Sequence, residues 1–425
     1  MSELLVIGAG LSGLMAAYTA VKAGLHVTIA AKGLGSMHWG AGTIDVLGYT
    51  PAQPDIPVKR PLEQIATFVR TNPRHPYAHL SDEHVAQTLA TFVALSKDIG
   101  VPYGGAATPG ENLLLPSPAG AARPTYLAPM AQLAGDLSRA EPMLIVGFEG
   151  MRDFYPELIA ENLCKLGYLA RAAFLPLKLI TDRRDSNTVQ LAQGLDNKEQ
   201  RALLGAALRK IVRPGERIGL PAILGMEAHM TLLAELERET NSPVFEIPTL
   251  PPSVPGGRLF KAFRRHLQSL GVRLTAGMEI IAAETIAPNG APGAVRWVES
   301  ATSSRPLKLR ADNYLLATGG ILGGGFNSDV NGRVWETIFN LPLTVPQNRA
   351  DWFQASFLNP QGHPVFAGGV AVNQNFQPVA ENGQPLYANL WAAGALLAHN
   401  DAIQERSTEG TAVATGVAAA QALCG

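Results

Sequence analysis

The residues best suited to chemistry stand at the start of the chain. Gly8-Ala9-Gly10-Leu11-Ser12-Gly13 follows the apolar run Leu4–Ile7 and opens an Ala-rich segment from Leu14 to Ala23 that Gly24 closes. The run reads as a buried parallel strand, the segment as a helix and His26–Ala31 as a second strand. In that context Gly8 serves the tight turn, Gly10 lets the backbone approach a pyrophosphate, and Gly13 lets the helix pack close to the sheet. The helix N-terminus offers unpaired N–H groups and the positive end of its dipole to the anion. One part of the pattern is missing. The acidic residue that should end the second strand and hold a ribose is absent from Ala30-Ala31-Lys32, and Lys32 cannot accept a hydroxyl's hydrogen bond. FAD and FMN both stay open on this reading.

Two later constellations fit the same chemistry. Ala317-Thr318-Gly319-Gly320 follows the apolar run Tyr314–Leu316, where a two-half flavoprotein brings small residues, here Thr318 and Gly319, against a dinucleotide. Leu390-Trp391-Ala392-Ala393-Gly394 is a strand ending on a small turn, and Glu409-Gly410-Thr411-Ala412 opens a last helix. Such a helix N-terminus can stabilise negative charge on a reduced flavin. Gly394, Gly410, Thr411 and Ala412 therefore join Gly8, Gly10, Gly13 and Lys32 as cofactor-binding candidates. His38 and Gly40 join them from the loop after the second strand. Asp45 fits either a flavin contact or the fixing of that loop.

Positioning these groups takes an α/β chain of two lobes. Four prolines in Thr50–Pro61 mark an exposed connection, and Asp82–Ile99 reads as a helix capped at Ser81. Gly104–Pro129 reads as a long loop. Met143–Val146, Phe154–Leu166 and Leu169–Leu175 form one β-α-β pattern, and Arg217–Leu220, Glu227–Glu239 and Pro243–Ile247 a second. After the proline-rich Pro248–Gly256, Gly257–Leu270 reads as an amphipathic basic helix and Val272–Thr275 as a strand. Val295–Glu299 and Leu307–Leu316 read as an antiparallel excursion. The expected fold is a discontinuous Rossmann-like flavin-binding domain of the glutathione reductase type, residues 1–80 and 251–425, with an inserted α/β lobe, residues 81–250.

Composition narrows the function classes. The chain has 425 residues, 47% hydrophobic and 16% charged, with a net charge of −1. That charge gives no global field for nucleic acid or an anionic membrane, so no nucleic-acid partner is expected. Cys164 and Cys424 are the only cysteines. They cannot build an iron–sulfur cluster, and no metal site is expected. Their scarcity suits a reducing cytosol. No apolar stretch reaches a bilayer span and no signal peptide is read.

The three glycine motifs together resemble FAD-dependent oxidoreductases of the fumarate reductase and glutathione reductase type. The run Leu34-Gly35-Ser36-Met37-His38-Trp39-Gly40-Ala41-Gly42-Thr43-Ile44-Asp45-Val46-Leu47-Gly48 narrows this, with Leu250-Pro251-Pro252-Ser253-Val254-Pro255-Gly256-Gly257-Arg258-Leu259 and Asn389–Gly394. These runs resemble the B subunit of anaerobic glycerol-3-phosphate dehydrogenase, nearly end to end. The resemblance implies oxidation of sn-glycerol 3-phosphate to dihydroxyacetone phosphate with electrons passed to quinone, and FMN as the flavin. It implies two partners in the same complex, a larger flavoprotein subunit (the A component) and an iron–sulfur subunit (the C component). It also implies a place on the cytoplasmic face of the inner membrane, peripheral through those partners. A self-sufficient flavin oxidoreductase on another small substrate, or a non-catalytic flavin-fold scaffold, are the alternatives. His38 could carry a covalent flavin in the fumarate reductase manner. A dehydrogenase needs a base for the hydroxyl proton, and histidine suits neutral pH. His363 and His399 are the leading candidates, with His229 behind them. Arg123, beside Thr125, is the first candidate to grip a phosphate, and Arg258 and Arg333 are others.

Overall fold

The computed structural model describes residues 3–183, 185–286, 292–301 and 305–425. The chain divides into two compact units. The first comprises Met1–Ser36, Asp45–Leu95 and Phe263–Gly425, and the second Met37–Ile44 and Ser96–Ala262. The expected joins lay after residues 80 and 250; the corresponding crossings fall at 95/96 and 262/263, and Met37–Ile44 makes a further pair at 36/37 and 44/45. The helix Asp82–Asp98 explains the first difference. Its Phe92 is fully buried and stacks on Phe263, so most of the helix belongs to the first unit.

The first unit is built on a five-stranded parallel sheet. Its spatial order is Arg273–Ala276, His26–Ala31, Glu3–Ile7, Asn313–Leu316 and Leu390–Ala392. In chain order this is 3-2-1-4-5, with every pair parallel. The order reverses between the first and fourth strands, which is where open α/β sheets take ligands. Leu4, Leu5, Val6 and Ile7 are all buried, because a parallel sheet is covered on both faces. The helices Leu11–Lys22 and Thr408–Cys424 pack against each other. Small residues permit this: a Cβ on Gly416 would lie 2.5 Å from the Ser12 carbonyl oxygen.

The expected strand Leu307–Leu316 is two elements. Leu307–Leu309 joins an antiparallel sheet with Glu279–Ile286 and Ala294–Ala301, whereas Asn313–Leu316 is the fourth parallel strand. The break between them is held by side chains. The Ala311 N–H donates to Tyr314 Oη at 3.0 Å, and Asn389 Nδ2 donates to the Asp312 carbonyl at 3.0 Å.

The second unit carries its own parallel sheet, ordered Val244–Ile247, Arg217–Pro221, Met143–Glu149 and Ala170–Pro176. Pro156–Lys165 and His229–Thr240 are its crossover helices. Thr188–Leu195 and Lys198–Ile211 are helices that pattern reading missed. Leu204 and Leu208 bury the face of the longer one, and its capping residue is Asn197. Gly104–Pro129 is not a plain loop. Leu113–Pro116 pairs with Ala122–Thr125, and Tyr103–Gly104 with Ala128–Pro129. Prolines at 116, 124 and 129 mask the strand pattern in the sequence.

Candidate functional site

The glycine loop sits at the point where strand order reverses. Gly8 has φ +118°, and a Cβ there would run into the Ala317 carbonyl. A Cβ on Gly13 would run into the Gly8 carbonyl. These two glycines are therefore demanded by the fold. Gly10 is different. Its φ is −71°, open to any residue, and a Cβ would meet no protein atom within 4 Å. Nothing in the protein requires glycine at position 10, and the space beside it is open. Gly10 is also the N-cap of Leu11–Lys22, with no side-chain cap and no acidic residue in the first turn. The N–H groups of that turn can serve an anion.

The second and third motifs converge on the same place. Ala317 lies against Gly8, and the neighbouring Thr318 has a buried Oγ1 without a hydrogen-bond partner among the described residues. Gly319 has φ +81°. Gly394 (φ +77°) faces Ser12, and its N–H donates to Thr415 Oγ1 at 2.9 Å. Gly35 folds back so that a Cβ would lie 2.7 Å from Gly10 Cα. Gly410 has a packing reason: its Cβ would lie 2.7 Å from both Tyr77 Oη and Val46 Cα, and its N–H donates to the Asp45 carbonyl. Thr411 and Ala412 are buried in the helix that follows. A glycine floor, an uncapped helix start and an orphaned threonine hydroxyl fit the pyrophosphate of a flavin dinucleotide. Gly8, Gly10, Gly13 and Thr318 are the residues that could hold it. Lys32 is engaged with Glu279 at 2.8 Å.

The other candidates scatter. His38 and Gly40 belong to the second unit, with Arg123. The His38 ring meets Phe260 edge-on, and its carbonyl accepts from the Ser253 N–H at 2.7 Å. His38 Nδ1 is buried without a partner among the described residues, and burial lowers the ring's pKa. Arg123 is buried in a short strand, and its Nη1 donates to Thr43 Oγ1 at 2.9 Å. His363 is committed at both ring nitrogens. Nδ1 accepts from the Gln354 N–H at 3.1 Å, and Nε2 lies 3.0 Å from the Phe357 carbonyl. That pattern ties the ring to a loop. His399 occupies left-handed backbone, φ +64°, and burial lowers its pKa, with the Arg74 and His75 charges adding to the effect. Arg333 lies over the Trp335 ring.

Arg258 is not available to a phosphate. Its two terminal nitrogens clasp Glu246 at 2.7 and 2.8 Å, its Nε donates to the Gly225 carbonyl at 2.6 Å, and both side chains are buried. His229 sits beside this pair with its pKa lowered to about 4, by burial first and then by the Arg258 charge. At pH 5 the unfolded chain binds a proton at His229 that the folded chain does not. Stability from this group is therefore lost as pH falls from about 6.5 towards 4, by up to about 3 kcal/mol. Urea midpoints of the wild type and His229→Gln at pH 7.5 and 5 check this; the variant should lose markedly less on acidification, and equal losses would remove the assignment.

Pattern reading missed one buried network. His75 Nε2 lies 3.1 Å from Glu405 Oε2, and the Ser407 hydroxyl donates to that carboxylate at 2.9 Å, with Asn400 Oδ1 at 3.0 Å. Ser407 occupies the N-cap position of the last helix, its hydroxyl engaged with Asn400 and Glu405 rather than with the helix's first-turn N–H groups. His75 and Glu405 lie 330 positions apart, and no local spacing announces their pairing.

Known proteins are similar to this chain in sequence. The model of the FAD binding domain family matches residues 3–410, and the chain belongs to that family: it is an FAD-binding flavoprotein of the oxidoreductase type. Two relatives narrow the assignment. A Halobacterium salinarum protein, named as the probable B subunit of anaerobic glycerol-3-phosphate dehydrogenase, is 32% identical over 99% of this chain and 97% of its own. An Aliivibrio fischeri protein, named as the B subunit of the same enzyme, is 29% identical over 99% and 95%. The chain belongs to the family of anaerobic glycerol-3-phosphate dehydrogenase B subunits. Among solved structures, a 3-ketosteroid delta1-dehydrogenase from Sterolibacterium denitrificans covers all of both chains at 11% identity, with a TM-score of 0.48. Among the described residues, no helix is long and apolar enough to cross a membrane.

Proposed function

We propose that this chain is the flavin-bearing B subunit of a glycerol-3-phosphate:quinone oxidoreductase. The complex oxidises sn-glycerol 3-phosphate to dihydroxyacetone phosphate. FAD, seated on the Gly8–Gly13 loop, supplies two-electron redox chemistry when bound. This chain's own part is to grip the pyrophosphate with the first-turn N–H groups of Leu11–Lys22 and to keep the cofactor against the small residues of 317–319. The observation that carries the reading is Gly10, a glycine for which the protein itself has no use. A larger flavoprotein partner and an iron–sulfur partner take the electrons onward to quinone, and through them the chain sits at the cytoplasmic face of the inner membrane. The commitment of His363 and the burial of Arg258 and Arg123 keep these candidates from forming a phosphate grip and base, which favours a division of labour.

The test is reconstitution. The isolated flavin-loaded chain should show little reduction by sn-glycerol 3-phosphate under anaerobic conditions, and adding the larger flavoprotein partner should restore it at least about tenfold. Full dehydrogenase activity of the isolated chain would overturn the division of labour.

A further inference from the structure

Residues 352–362 contain no Asp, Glu, Lys or Arg, in a chain of which 16% is charged. The segment nonetheless faces water. Phe357 is 87% exposed and Leu358 83%, and Phe353 is exposed too. Hydrogen bonds pin it in this shape. His363 holds it through both ring nitrogens, at the Gln354 N–H and the Phe357 carbonyl. The Gln361 N–H donates to Asn359 Oδ1 at 2.8 Å. Gln404 Nε2 donates to the Pro360 carbonyl, which brings the exposed Ile403 to the same loop. At its start, Arg349 Nη1 donates to the Asp329 and Val330 carbonyls at 3.2 and 3.3 Å, and Val330 is 88% exposed. Apolar side chains held in water this way add nothing to the fold, and a charge-free apolar projection matches the core of a protein interface. A lipid surface is the poorer match, because Asp329 and Asp351 offset Arg349 and leave no basic cluster for anionic headgroups.

The loop also leans on the flavin side of the first unit. The Trp352 carbonyl accepts from the Val365 N–H at 3.2 Å, the His399 N–H donates to the Ala367 carbonyl at 2.8 Å, and the Val370 N–H donates to the Leu396 carbonyl at 2.9 Å. Leu396 belongs to the turn that begins at Gly394, which faces Ser12 in the glycine-loop helix. The chain belongs to a family of B subunits, so it has partner subunits to receive such a projection.

We propose that Phe357 and Leu358 are the knob by which this chain docks into an apolar pocket of the larger flavoprotein partner. The inference rests on the reading of the chain as a subunit that passes flavin electrons to that partner. Electrons cross only a short gap, so the partner must sit on the side of the flavin turn, where this loop stands.

The experiment titrates the flavin-loaded full-length chain with the larger flavoprotein partner, following the complex by sedimentation velocity and the reduction by sn-glycerol 3-phosphate. It compares the wild type, the double variant Phe357→Asp with Leu358→Asp, and Leu169→Asp, which charges an exposed apolar residue of the second unit. The double variant should bind the partner at least about a hundredfold more weakly, with melting temperature and flavin content unchanged, whereas Leu169→Asp should stay within about threefold of the wild type. Unchanged binding by the double variant, or an equal loss with Leu169→Asp, would overturn the proposal. So would a wild type that self-associates through these two residues without the partner, or that binds vesicles of phosphatidylethanolamine and phosphatidylglycerol through them. A wild type that neither binds the partner nor is reactivated by it would sink the reading of the chain as that partner's subunit, and this proposal with it.

Discussion

Gly10→Ala should strip the protein of flavin while leaving it folded. A methyl group there meets no protein atom within 4 Å, and the backbone (φ −71°, ψ 176°) suits alanine. Losing glycine from an N-cap position costs a little, and restricting the unfolded chain gains a little, so stability without flavin should move by under about 1 kcal/mol. The same methyl occupies the approach of the pyrophosphate. FAD affinity should fall at least about a hundredfold, or about 3 kcal/mol. Gly8→Ala gives the opposite pattern. There a Cβ strikes the Ala317 carbonyl and the backbone is left-handed, so the fold itself should lose roughly 3 kcal/mol or more before any flavin is added. Thermal melts and flavin titrations of both variants separate the two roles. Unchanged FAD affinity in Gly10→Ala would remove the reason for glycine at that position.

Arg258→Ala should be among the most damaging single changes to the second unit. It leaves the Glu246 carboxylate buried, with the Leu224 N–H, at 2.8 Å, still donating to it but no cation beside it. Breaking a buried pair from one side costs about 3–5 kcal/mol. Replacing both partners with apolar residues, Arg258→Met with Glu246→Leu, should recover most of that, because the pair's desolvation cost goes with it. The single variant should also soften the acid sensitivity of His229, whose pKa the Arg258 charge helps to depress. Denaturant unfolding of the single and double variants checks this. A phosphate-binding Arg258 would behave differently, losing substrate affinity with stability intact.

The parts of this protein that sequence makes legible are those where function and backbone geometry coincide. Gly8 and Gly10 sit between a short apolar strand and a helix, Gly13 lies in that helix's first turn, and a short spacing carries their meaning. The Ala31-Lys32 ending is equally visible, but the partner of Lys32 is not. Glu279 stands 247 residues from Lys32, and only the pairing of the third strand on the second brings them together. Arg258 shows the converse. A basic residue in a glycine-rich run reads as an anion grip until the fold reveals a carboxylate from a neighbouring strand. The hairpin Leu113–Thr125 was hidden because proline depresses strand propensity, although its turn is held by Ser117 Oγ accepting from the Ala119 and Ala121 N–H groups. Leu307–Leu316 read as one strand because apolar residues continue across Arg310-Ala311-Asp312, where the chain leaves one sheet for another.

The most direct test of the flavin site is to purify the full-length chain, precipitate it with acid and identify the flavin released. FAD in the supernatant, about one per chain and with no colour left in the pellet, is the result expected of the Gly8–Gly13 cradle. A colourless protein that takes up no FAD on reconstitution would contradict it.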